Sequence, residues 1–403
     1  MYKIQTLNKI APEGLALFPR ENYEIASEIL NPDAILVRSA EMAEMTLPGS
    51  VKAIARAGAG VNNIPVAKYT DKGIVVFNTP GANANAVKEL VIAAMLFSSR
   101  PVIKAAAWAR GLEGKGDEIP DLAEKGKSQF VGPEIKGKTL GVVGLGAIGA
   151  MVANDAVGLG MKVIGFDPFI SVDAAWSLSR AVHKAESLDA LLSKADFITI
   201  HVPQTNETKG FLNADKFRIM KKGVRILNFA RGGLVNNADI IAAINDGKVA
   251  SFVTDFADEE LLKTENVICL PHLGASTPEA EDNCAFMAVN QLIDFLENGN
   301  IVNSVNFPKC KIDGNIPAKG ARLCIANKNV PNMIGQITSI LAGAKLNIAS
   351  MTNQNRADVA YNLIDVEDRV SGNVVANLKD IDGVIAVRVI EGHIEKAPVA
   401  EEE

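Results

Sequence analysis

The sequence is poor in the residues that build metal sites and disulfide frameworks. It holds only 4 cysteines and 4 histidines. Cys269, Cys284, Cys310 and Cys324 show no C-x-x-C spacing, and no histidine stands at zinc-ligand spacing from any of them. We therefore predict no metal site, and reduced thiols rather than disulfides.

An excess of basic residues and a long apolar run are missing as well. Lys and Arg number 41 against 47 Asp and Glu, a net charge of −6, which argues against a nucleic-acid-binding surface. The longest strongly apolar run, Leu90–Phe97, is far shorter than the roughly 20 residues of a membrane span. The N-terminus has no apolar signal core. These absences predict a cytoplasmic protein that binds neither nucleic acid nor membrane.

Short apolar runs alternate with segments of helix length over most of the chain. The runs cover residues 34–38, 51–55, 73–77, 140–143, 162–166, 197–201, 225–228, 250–254 and 267–270. This is the βαβ rhythm of parallel sheets, and the last six runs match a doubly wound sheet. Residues 89–110 form a helical pattern interrupted by Pro101, and residues 111–137 are predicted to be an exposed loop.

The pattern changes near residue 308. Two prolines, two glycines and several charges predict a linker over residues 308–320. Residues 321–390 then read as βαββαβ, a small ferredoxin-like module. Glu401–Glu403 are predicted to be a frayed tail, and His183 and His393 to be surface residues.

A glycine-rich turn predicts a dinucleotide site. The strand at residue 140 leads into Gly144, Gly146 and Gly149 with G-x-G-x-x-G spacing, and a helix follows. Gly144 permits a tight turn, Gly146 admits a pyrophosphate, and Gly149 lets helix and strand pack closely. Asp167 ends the next strand, where its carboxylate would bind the ribose hydroxyls and repel a 2′-phosphate. The pattern therefore predicts NAD rather than NADP.

Five motifs in a fixed order support a family assignment. They are Arg56-Ala-Gly-Ala-Gly-Val-Asn-Asn, Asn78-Thr-Pro-Gly, Val143-Gly-Leu-Gly-Ala-Ile-Gly149, Asn228-Phe-Ala-Arg-Gly-Gly233 and Pro271-His-Leu-Gly-Ala-Ser-Thr277. With them, nearly the whole chain resembles the D-2-hydroxyacid dehydrogenase family, and within it the phosphoglycerate dehydrogenases that carry a C-terminal ACT domain.

The resemblance implies an α/β architecture of three domains. A Rossmann-type nucleotide domain is inserted in a flavodoxin-like substrate domain, and a ferredoxin-like ACT domain follows. The expected bounds are 1–97 and 286–307 for the substrate-binding domain, 98–285 for the NAD-binding domain, 308–320 for the linker and 321–403 for the ACT-like domain.

The resemblance also implies a catalytic trio of Arg231, Glu260 and His272, with Glu259 as the competing choice for the carboxylate. These residue types suit the oxidation of a 2-hydroxy acid. A neutral imidazole can accept the hydroxyl proton, and a carboxylate beside it stabilises the imidazolium. A guanidinium can bind the substrate carboxylate and the C2 oxygen together.

The cofactor contacts implied by the resemblance belong to NAD. They are Gly144, Gly146, Ala147, Ile148, Gly149, Asp167, Pro168, His201, Pro203, Thr208, Phe229, Ala230, Asp255 and Gly274. Among them His201 and Pro203 are expected to line the cofactor cleft without acid–base roles. Asp255 is expected to contact the nicotinamide carboxamide.

The implied substrate is 3-phospho-D-glycerate, oxidised to 3-phosphohydroxypyruvate in serine biosynthesis. Its expected contacts are Arg38, Arg56, Ala57, Gly58, Asn78 and, from a neighbouring subunit, Lys127. Arg38 and Arg56 would bind the phosphate, and the loop after Arg56 would bind the carboxylate through backbone amides. Lys127 has the alternative of being a solvated loop residue. Two other functions stay open: a hydroxypyruvate or glyoxylate reductase indifferent to phosphate, and a non-enzymatic NAD-sensing protein resembling the C-terminal-binding corepressors.

The ACT-like region implies a homodimer or homotetramer, with L-serine as a candidate effector. Asn327, Asn329 and Asn347 match positions that hold serine in inhibited relatives. Asn327 stands where those relatives have histidine, and Asn332 stands where they have glycine. The alternative is a module that only holds the oligomer together.

Overall fold

The structure, a computed structural model, describes residues 1–392. His393 and the acidic residues 401–403 lie outside the described residues. Among the described residues no single helix is long and apolar enough to cross a membrane. One pair of helices, 84–99 and 102–110, passes that test together by length and composition, with a bend of 69°.

Contacts divide the chain into two units, Met1–Ala82 with the chain from Glu281 onward, and Asn83–Ala280. The elements of the first unit up to residue 82 are β1 (Tyr2–Thr6), α1 (Pro12–Leu15), β2 (Tyr23–Ala26), β3 (Ala34–Val37), β4 (Ala53–Arg56), α2 (Val66–Thr70) and β5 (Val75–Phe77). Their sheet is parallel throughout, with strand order β2-β1-β3-β4-β5, which is the flavodoxin-like order.

The sequence pattern predicts β3, β4 and β5 but misses β1 and β2. Both missed strands are only partly buried and carry polar side chains such as Lys3, Gln5 and Glu24, so they lack a continuous apolar run. In contrast, every residue of β3 is buried. Because β3 and β4 are parallel neighbours, Arg38 and Arg56 follow at the same edge of the sheet.

The second unit is a doubly wound α/β domain. Its elements are α3 (Ala84–Ser99), α4 (Val102–Arg110), α5 (Ile119–Gly126), β6 (Thr139–Val143), α6 (Ala147–Gly158), β7 (Lys162–Phe166), α7 (Val172–Ser177), β8 (Val182–Lys184), α8 (Leu188–Lys194), β9 (Phe197–Ile200), α9 (Ala214–Ile219), β10 (Val224–Asn228), α10 (Asn237–Asn245), β11 (Val249–Thr254), α11 (Glu259–Lys263) and β12 (Val267–Cys269). The parallel sheet has the order β12-β11-β10-β9-β6-β7-β8, which contains the classical Rossmann arrangement. The predicted Rossmann-type fold is confirmed, although the short edge strand β8 was missed.

The boundary between the units differs from the sequence expectation. The second unit begins at Asn83 rather than at residue 98, and the chain re-enters the first unit at Glu281 rather than at residue 286. The reason is packing. Val87, Val91 and Met95 of α3 join the core formed by β6, α6 and β7, so the whole helix belongs with the nucleotide sheet.

The predicted exposed loop at 111–137 is largely helical. It contains α5 and two 3₁₀ turns at Gly116–Glu118 and Lys127–Phe130. These helical elements are polar and contain no buried residues, so the sequence lacks the apolar periodicity that would predict a helix. The ring of Trp108 lies against Gly126 and is 5.5 Å from the ring of Phe130, which fastens the segment to α4.

The rest of the first unit contains the predicted βαββαβ module. The helix α12 (Pro278–Asn298) precedes this module. The elements of the module are β13 (Ala321–Lys328), α13 (Met333–Gly343), β14 (Ile348–Arg356), β15 (Val359–Val366), α14 (Gly372–Lys379) and β16 (Val384–Glu391). The sheet is antiparallel with order β14-β15-β13-β16, and α13 and α14 cover one face, as in a ferredoxin-like fold. This ACT-like topology agrees with the expectation.

The other face of that sheet is also buried. Cys324, Tyr361 and Leu363 share one core with α12 and the first sheet, and the Tyr361 hydroxyl donates to the Gly299 carbonyl at 2.9 Å. Part of the predicted linker is packed into the first unit, because Cys310 is buried and pairs with Ile301 in a β-bridge.

Candidate active site

The glycine turn after β6 has the shape that a pyrophosphate requires. Gly144 has φ +91°, and a Cβ there would lie 2.7 Å from the His201 carbonyl oxygen. A Cβ at Gly149 would collide with the Gly144 carbonyl, whereas one at Gly146 would meet nothing within 4 Å. Packing thus excludes a side chain at Gly144 and at Gly149. The second faces open space at the N-terminus of α6, where the amides of Ala147 and Ile148 begin the helix. The turn fits a dinucleotide phosphate.

Asp167 holds this turn from the end of β7. Its Oδ2 accepts a hydrogen bond from the Leu145 amide at 2.8 Å, and its Oδ1 accepts one from the Phe169 amide at 2.8 Å, across the adjacent Pro168. Each carboxylate oxygen has a second lone pair. Asp167 can therefore bind ribose hydroxyls while it keeps the turn in place.

His201 lines the same side of the sheet at the end of β9. Its Nε2 lies 2.9 Å from the Thr199 hydroxyl, and its amide donates to the Val143 carbonyl at 2.7 Å. Burial lowers the pKa of His201 to about 3, so the ring is neutral near pH 7. A neutral, hydrogen-bonded ring agrees with a wall residue. The Thr208 hydroxyl donates to the Pro203 carbonyl at 2.7 Å and so orders the following loop.

The loop that carries Arg231 is positioned by a buried asparagine. Asn228 ends β10, and its side chain donates to the Arg231 carbonyl at 2.9 Å while accepting from the Ala230 amide at 3.2 Å. Phe229 between them is buried in the core. The Arg231 side chain is exposed and its Nη1 donates to the Ala230 carbonyl at 2.6 Å. Its charge is therefore available to a ligand.

His272 and Asp255 are joined through the backbone. The His272 amide donates to the Asp255 carbonyl at 3.1 Å, and the Gly274 amide donates to Asp255 Oδ2 at 3.2 Å. His272 has φ +27°, an unusual conformation for a residue with a side chain and typical of strained functional sites. The ring of Phe256 lies 5.1 Å from the imidazole.

Asp255 is the buried carboxylate of the residue whose backbone carbonyl binds the His272 amide. It is buried, and burial raises its pKa, while the charges of His272 and Arg231 and the Gly274 amide lower it. Within residues 1–392, Asp255 Oδ1 is a buried oxygen with no hydrogen-bond partner. Such an oxygen fits an amide N–H₂ donor, which a nicotinamide carboxamide provides.

Glu260, expected beside His272, has Lys263 as its ion-pair partner. Its side chain is 73% exposed and is 3.5 Å from the Lys263 amine, and Glu259 reaches the same amine at 2.8 Å. The cause is local: Asp258 caps α11 by accepting from the Leu261 amide at 2.8 Å, so both glutamates stand in the first turn beside Lys263. In the described part of the chain neither carboxylate has a hydrogen bond or ion pair with His272, and the role of Glu260 stays a prediction.

In the first unit, Arg56 braces the loop that follows it. The Arg56 Nε donates to the Arg38 carbonyl at 2.9 Å, and its Nη1 donates to the Gly60 carbonyl. Asn78, expected to bind substrate, instead donates to the Ala59 carbonyl at 2.6 Å in this structure. The loop is thus held on both sides.

The amides of this loop correct one expectation. The Ala57 amide donates to the Val37 carbonyl at 2.8 Å, and the Gly58 amide donates to the Arg56 carbonyl at 2.9 Å, so neither is open to an anion. The next two amides, of Ala59 and Gly60, have no backbone acceptor among residues 1–392. Within the predicted loop, the amides open to a carboxylate are therefore those of Ala59 and Gly60, two residues after Ala57 and Gly58.

Arg38 stands on a turn that Asn8 organises. Asn8 Oδ1 accepts from the amides of Arg38 at 3.1 Å, Ser39 at 3.3 Å and Ala40 at 3.1 Å. The Arg38 Nη2 lies 2.7 Å from Glu281 Oε1 in an ion pair. Lys127 is exposed and pairs with Glu124 within its own segment.

The three asparagines expected to bind an effector do not form one site. Asn327 is buried, donates to the Lys328 carbonyl at 2.7 Å and accepts from Asn362 at 2.7 Å, so its side chain is already hydrogen-bonded within the core and its expected effector role has no support here. Asn329 follows β13 and Asn347 precedes β14, at opposite ends of the sheet. Asn332 has φ +66°, which explains how asparagine replaces glycine there.

Four residues that hold the predicted site residues in place were not predicted from the sequence. They are Asn8, Thr199, Asn228 and Glu281. Only Asn228 carried a signal, as the first residue of the Asn-Phe-Ala-Arg motif. The others are single polar residues whose partners are distant in the chain or outside any motif.

Comparisons with known proteins agree with this geometry. The sequence profile described as "D-isomer specific 2-hydroxyacid dehydrogenase, NAD binding domain" matches residues 92–274, which span the glycine turn, Arg231 and His272. Residues 92–274 therefore resemble the NAD-binding domain of the D-isomer specific 2-hydroxyacid dehydrogenases.

Curated relatives of the chain are named D-3-phosphoglycerate dehydrogenase, in archaea, bacteria and mammals. The chain is 37% identical to that of Archaeoglobus fulgidus over 71% of this chain and 53% of the relative. It is 38% identical to that of Synechocystis over 71% of this chain and 50% of the relative. It is 35% identical to that of Homo sapiens over 73% of this chain and 55% of the relative. The chain thus spans about half the length of the curated relatives it matches.

Solved structures share the fold. The NAD⁺-bound 3-phosphoglycerate dehydrogenase of Entamoeba histolytica has a TM-score of 0.60 at 27% identity, over 76% of this chain and 98% of that one. A glyoxylate reductase from Paecilomyes thermophila has a TM-score of 0.61 at 25% identity, over 75% and 98%. Because the two scores are nearly equal, the fold does not choose between these substrates.

Proposed function

We propose that this protein oxidises 3-phospho-D-glycerate to 3-phosphohydroxypyruvate with NAD⁺, the first step of serine synthesis by the phosphorylated route. The observation that carries the substrate assignment is the placement of Arg38 and Arg56 at the ends of neighbouring parallel strands. A phosphate ester carries up to two negative charges and needs charge-assisted partners. The names of the curated relatives support the same substrate.

The second unit supplies the residues for the chemistry. The imidazole of His272 accepts the proton of the C2 hydroxyl, and the guanidinium of Arg231 pairs with the substrate carboxylate and the C2 oxygen. The charge of Asp255 stabilises the resulting imidazolium, and its Oδ1 accepts a hydrogen bond from the cofactor amide. NAD⁺, held by Gly146, the start of α6 and Asp167, supplies the hydride acceptor.

The first unit supplies the residues for recognition. Arg38 offers its guanidinium to the phosphate, and the amides of Ala59 and Gly60 offer two donors to a carboxylate. Asn78 and Arg56 keep that loop in its turned conformation. Lys127 of a neighbouring subunit stays a prediction.

The effector proposal is narrower than the sequence indicated. L-Serine, if it acts, would bind through Asn329 and Asn347 without Asn327. Since those two lie at opposite ends of one sheet, a site that uses both requires two copies of the chain, in line with a homodimer or homotetramer. Titration of the intact enzyme with millimolar L-serine tests this, and an unchanged rate and melting temperature would refute it.

The deciding experiment measures NADH formation from 3-phospho-D-glycerate, D-glycerate and D-lactate by wild type and Arg38→Ala. We expect a strong preference for the phosphorylated acid that falls by about 10²-fold in the variant. Equal turnover of the unphosphorylated acids would instead favour a hydroxypyruvate or glyoxylate reductase. Absence of turnover with every acid, with NAD still bound, would favour a non-enzymatic sensor.

A further inference from the structure

The guanidinium of Arg38 is already bound to an anion of the protein itself. Its Nη2 lies 2.7 Å from Glu281 Oε1, and the two side chains are 38% and 43% exposed. Both residues belong to the first unit, and Glu281 stands in the first turns of α12. The carboxylate is thus partly open to solvent and to any incoming ligand of Arg38.

The surroundings of Glu281 favour its charged form. The hydrogen bond from Arg38 is the main cause that lowers the pKa of Glu281; burial acts in the opposite direction, and the charges of Arg38 and Lys9 lower the pKa further. The positive end of α12 acts in the same direction. Glu281 is therefore an anion throughout the neutral pH range, and protonation does not release Arg38.

A second observation places Arg56 in the same cluster. The Arg56 Nε donates to the Arg38 carbonyl at 2.9 Å. The charges of Arg38, Arg56 and Glu281 also all act on the pKa of the buried Cys284, which follows Glu281 by one helical turn. The cluster therefore holds two arginines and one carboxylate. An anion that enters it must share the cations with Glu281 or displace it.

We propose that Glu281 occupies Arg38 as an internal competitor and so determines which distal group of the substrate is accepted. This inference rests on the proposed function and deepens it. A phosphate ester, with a charge of about −1.5 to −2 near pH 7, outcompetes a tethered carboxylate of charge −1. A substrate whose distal group is itself a carboxylate has no such advantage, because it competes charge for charge with a group held at 2.7 Å.

The test compares Glu281→Gln with wild type on three D-2-hydroxy acids. These are 3-phospho-D-glycerate, D-2-hydroxyglutarate with a distal carboxylate, and D-glycerate with no distal anion. Glutamine keeps the size of the side chain and removes its charge. We expect kcat/KM to rise about tenfold or more for D-2-hydroxyglutarate and about threefold for 3-phospho-D-glycerate, through KM, and to stay unchanged for D-glycerate.

Glu279→Gln is the matched control. Glu279 is exposed in the same first turns of α12 and has no ion pair with Arg38, so its substitution removes the same charge without touching the Arg38 pair. We expect it to leave all three substrates as in wild type. In an Arg38→Ala background, Glu281→Gln should have no effect on kcat/KM, because the guanidinium for which Glu281 and the substrate compete is then absent.

The outcomes separate this inference from the proposed function. Absence of wild-type turnover with 3-phospho-D-glycerate overturns both. Turnover of that acid, with D-2-hydroxyglutarate unchanged in Glu281→Gln, overturns the inference alone. An equal gain for D-glycerate, or the same gain in Glu279→Gln, also overturns it, because the effect would then be general rather than aimed at the distal group. Melting temperatures of all variants verify that they fold.

Discussion

Arg322 and Asp365 form a buried two-point ion pair across the neighbouring strands β13 and β15. The Arg322 Nε lies 2.6 Å from Asp365 Oδ1 and its Nη2 lies 2.8 Å from Oδ2, with side chains only 0% and 5% exposed. The Arg322 Nη1 also donates to the Asn298 carbonyl at the end of α12, 3.0 Å away. The pair therefore ties the ACT-like sheet to the helix that precedes it.

Asp365→Asn should destabilise the protein by about 3–5 kcal/mol, because it leaves a buried guanidinium without its counter-charge. Urea unfolding of the intact chain measures the loss. Asp215→Asn breaks an ion pair whose side chains are 76% and 77% exposed, and should leave the midpoint unchanged. Equal effects of the two variants would contradict the role of burial.

Gly144→Ala and Gly146→Ala should fail in different ways. The first forces a side chain to φ +91° and within 2.7 Å of a carbonyl oxygen, so it should lower stability by about 1–3 kcal/mol. The second has free space around its Cβ, so the melting temperature should stay constant while the NAD dissociation constant rises about tenfold or more. Calorimetric titration and thermal unfolding measure both effects. A stability loss at Gly146 would show that its role is packing.

His272→Asn should lower kcat by about 10³-fold and leave NAD binding intact, because only the proton acceptor is lost. His183→Asn is the control, since His183 is exposed on the edge strand β8 and distant in sequence from the motifs. Stopped-flow measurement of NADH formation at several pH values detects the loss. Retention of more than about a tenth of the wild-type rate would exclude His272 as the principal base.

Asp255→Asn should make the protein more stable at neutral pH and less active. Burial raises the pKa of Asp255, so its ionisation costs folding free energy as the pH rises through the folded pKa. The gain in melting temperature should therefore be largest near pH 7 and vanish below about pH 4, the range of an unperturbed aspartate. A gain that is independent of pH would contradict the charge argument.

Glu259→Gln and Glu260→Gln decide which carboxylate, if either, supports His272. Both glutamates are exposed and share Lys263, so binding of ligands would have to draw one of them to the imidazole. We expect one variant to lower kcat by about 10²-fold and the other to resemble wild type. If both stay within about threefold of wild type, Asp255 is the carboxylate that stabilises the imidazolium.

Local sequence patterns were enough for most of the fold. Fully buried parallel strands such as β3 and β5 are continuous apolar runs, and the glycine turn needs its residues at fixed spacing. The pattern failed where burial is partial or absent, as in β1, β8 and the helical segment after residue 111. In those places, the conformation depends on neighbours that no local period reveals.

The sequence by itself determined the family resemblance, the order of the domains, the nucleotide turn and the positions of Arg231 and His272, because backbone constraints and reaction chemistry demand particular residues at particular spacings. Only the tertiary structure decided which side chains meet. It set the Asp255 carboxylate against the Gly274 amide, turned Glu260 toward Lys263, buried Asn327 and set Glu281 against Arg38. Hydrogen bonds and ion pairs act over a few ångströms, whereas the partners Arg38 and Glu281 are separated by most of the chain, so the pairing exists only once the chain has folded.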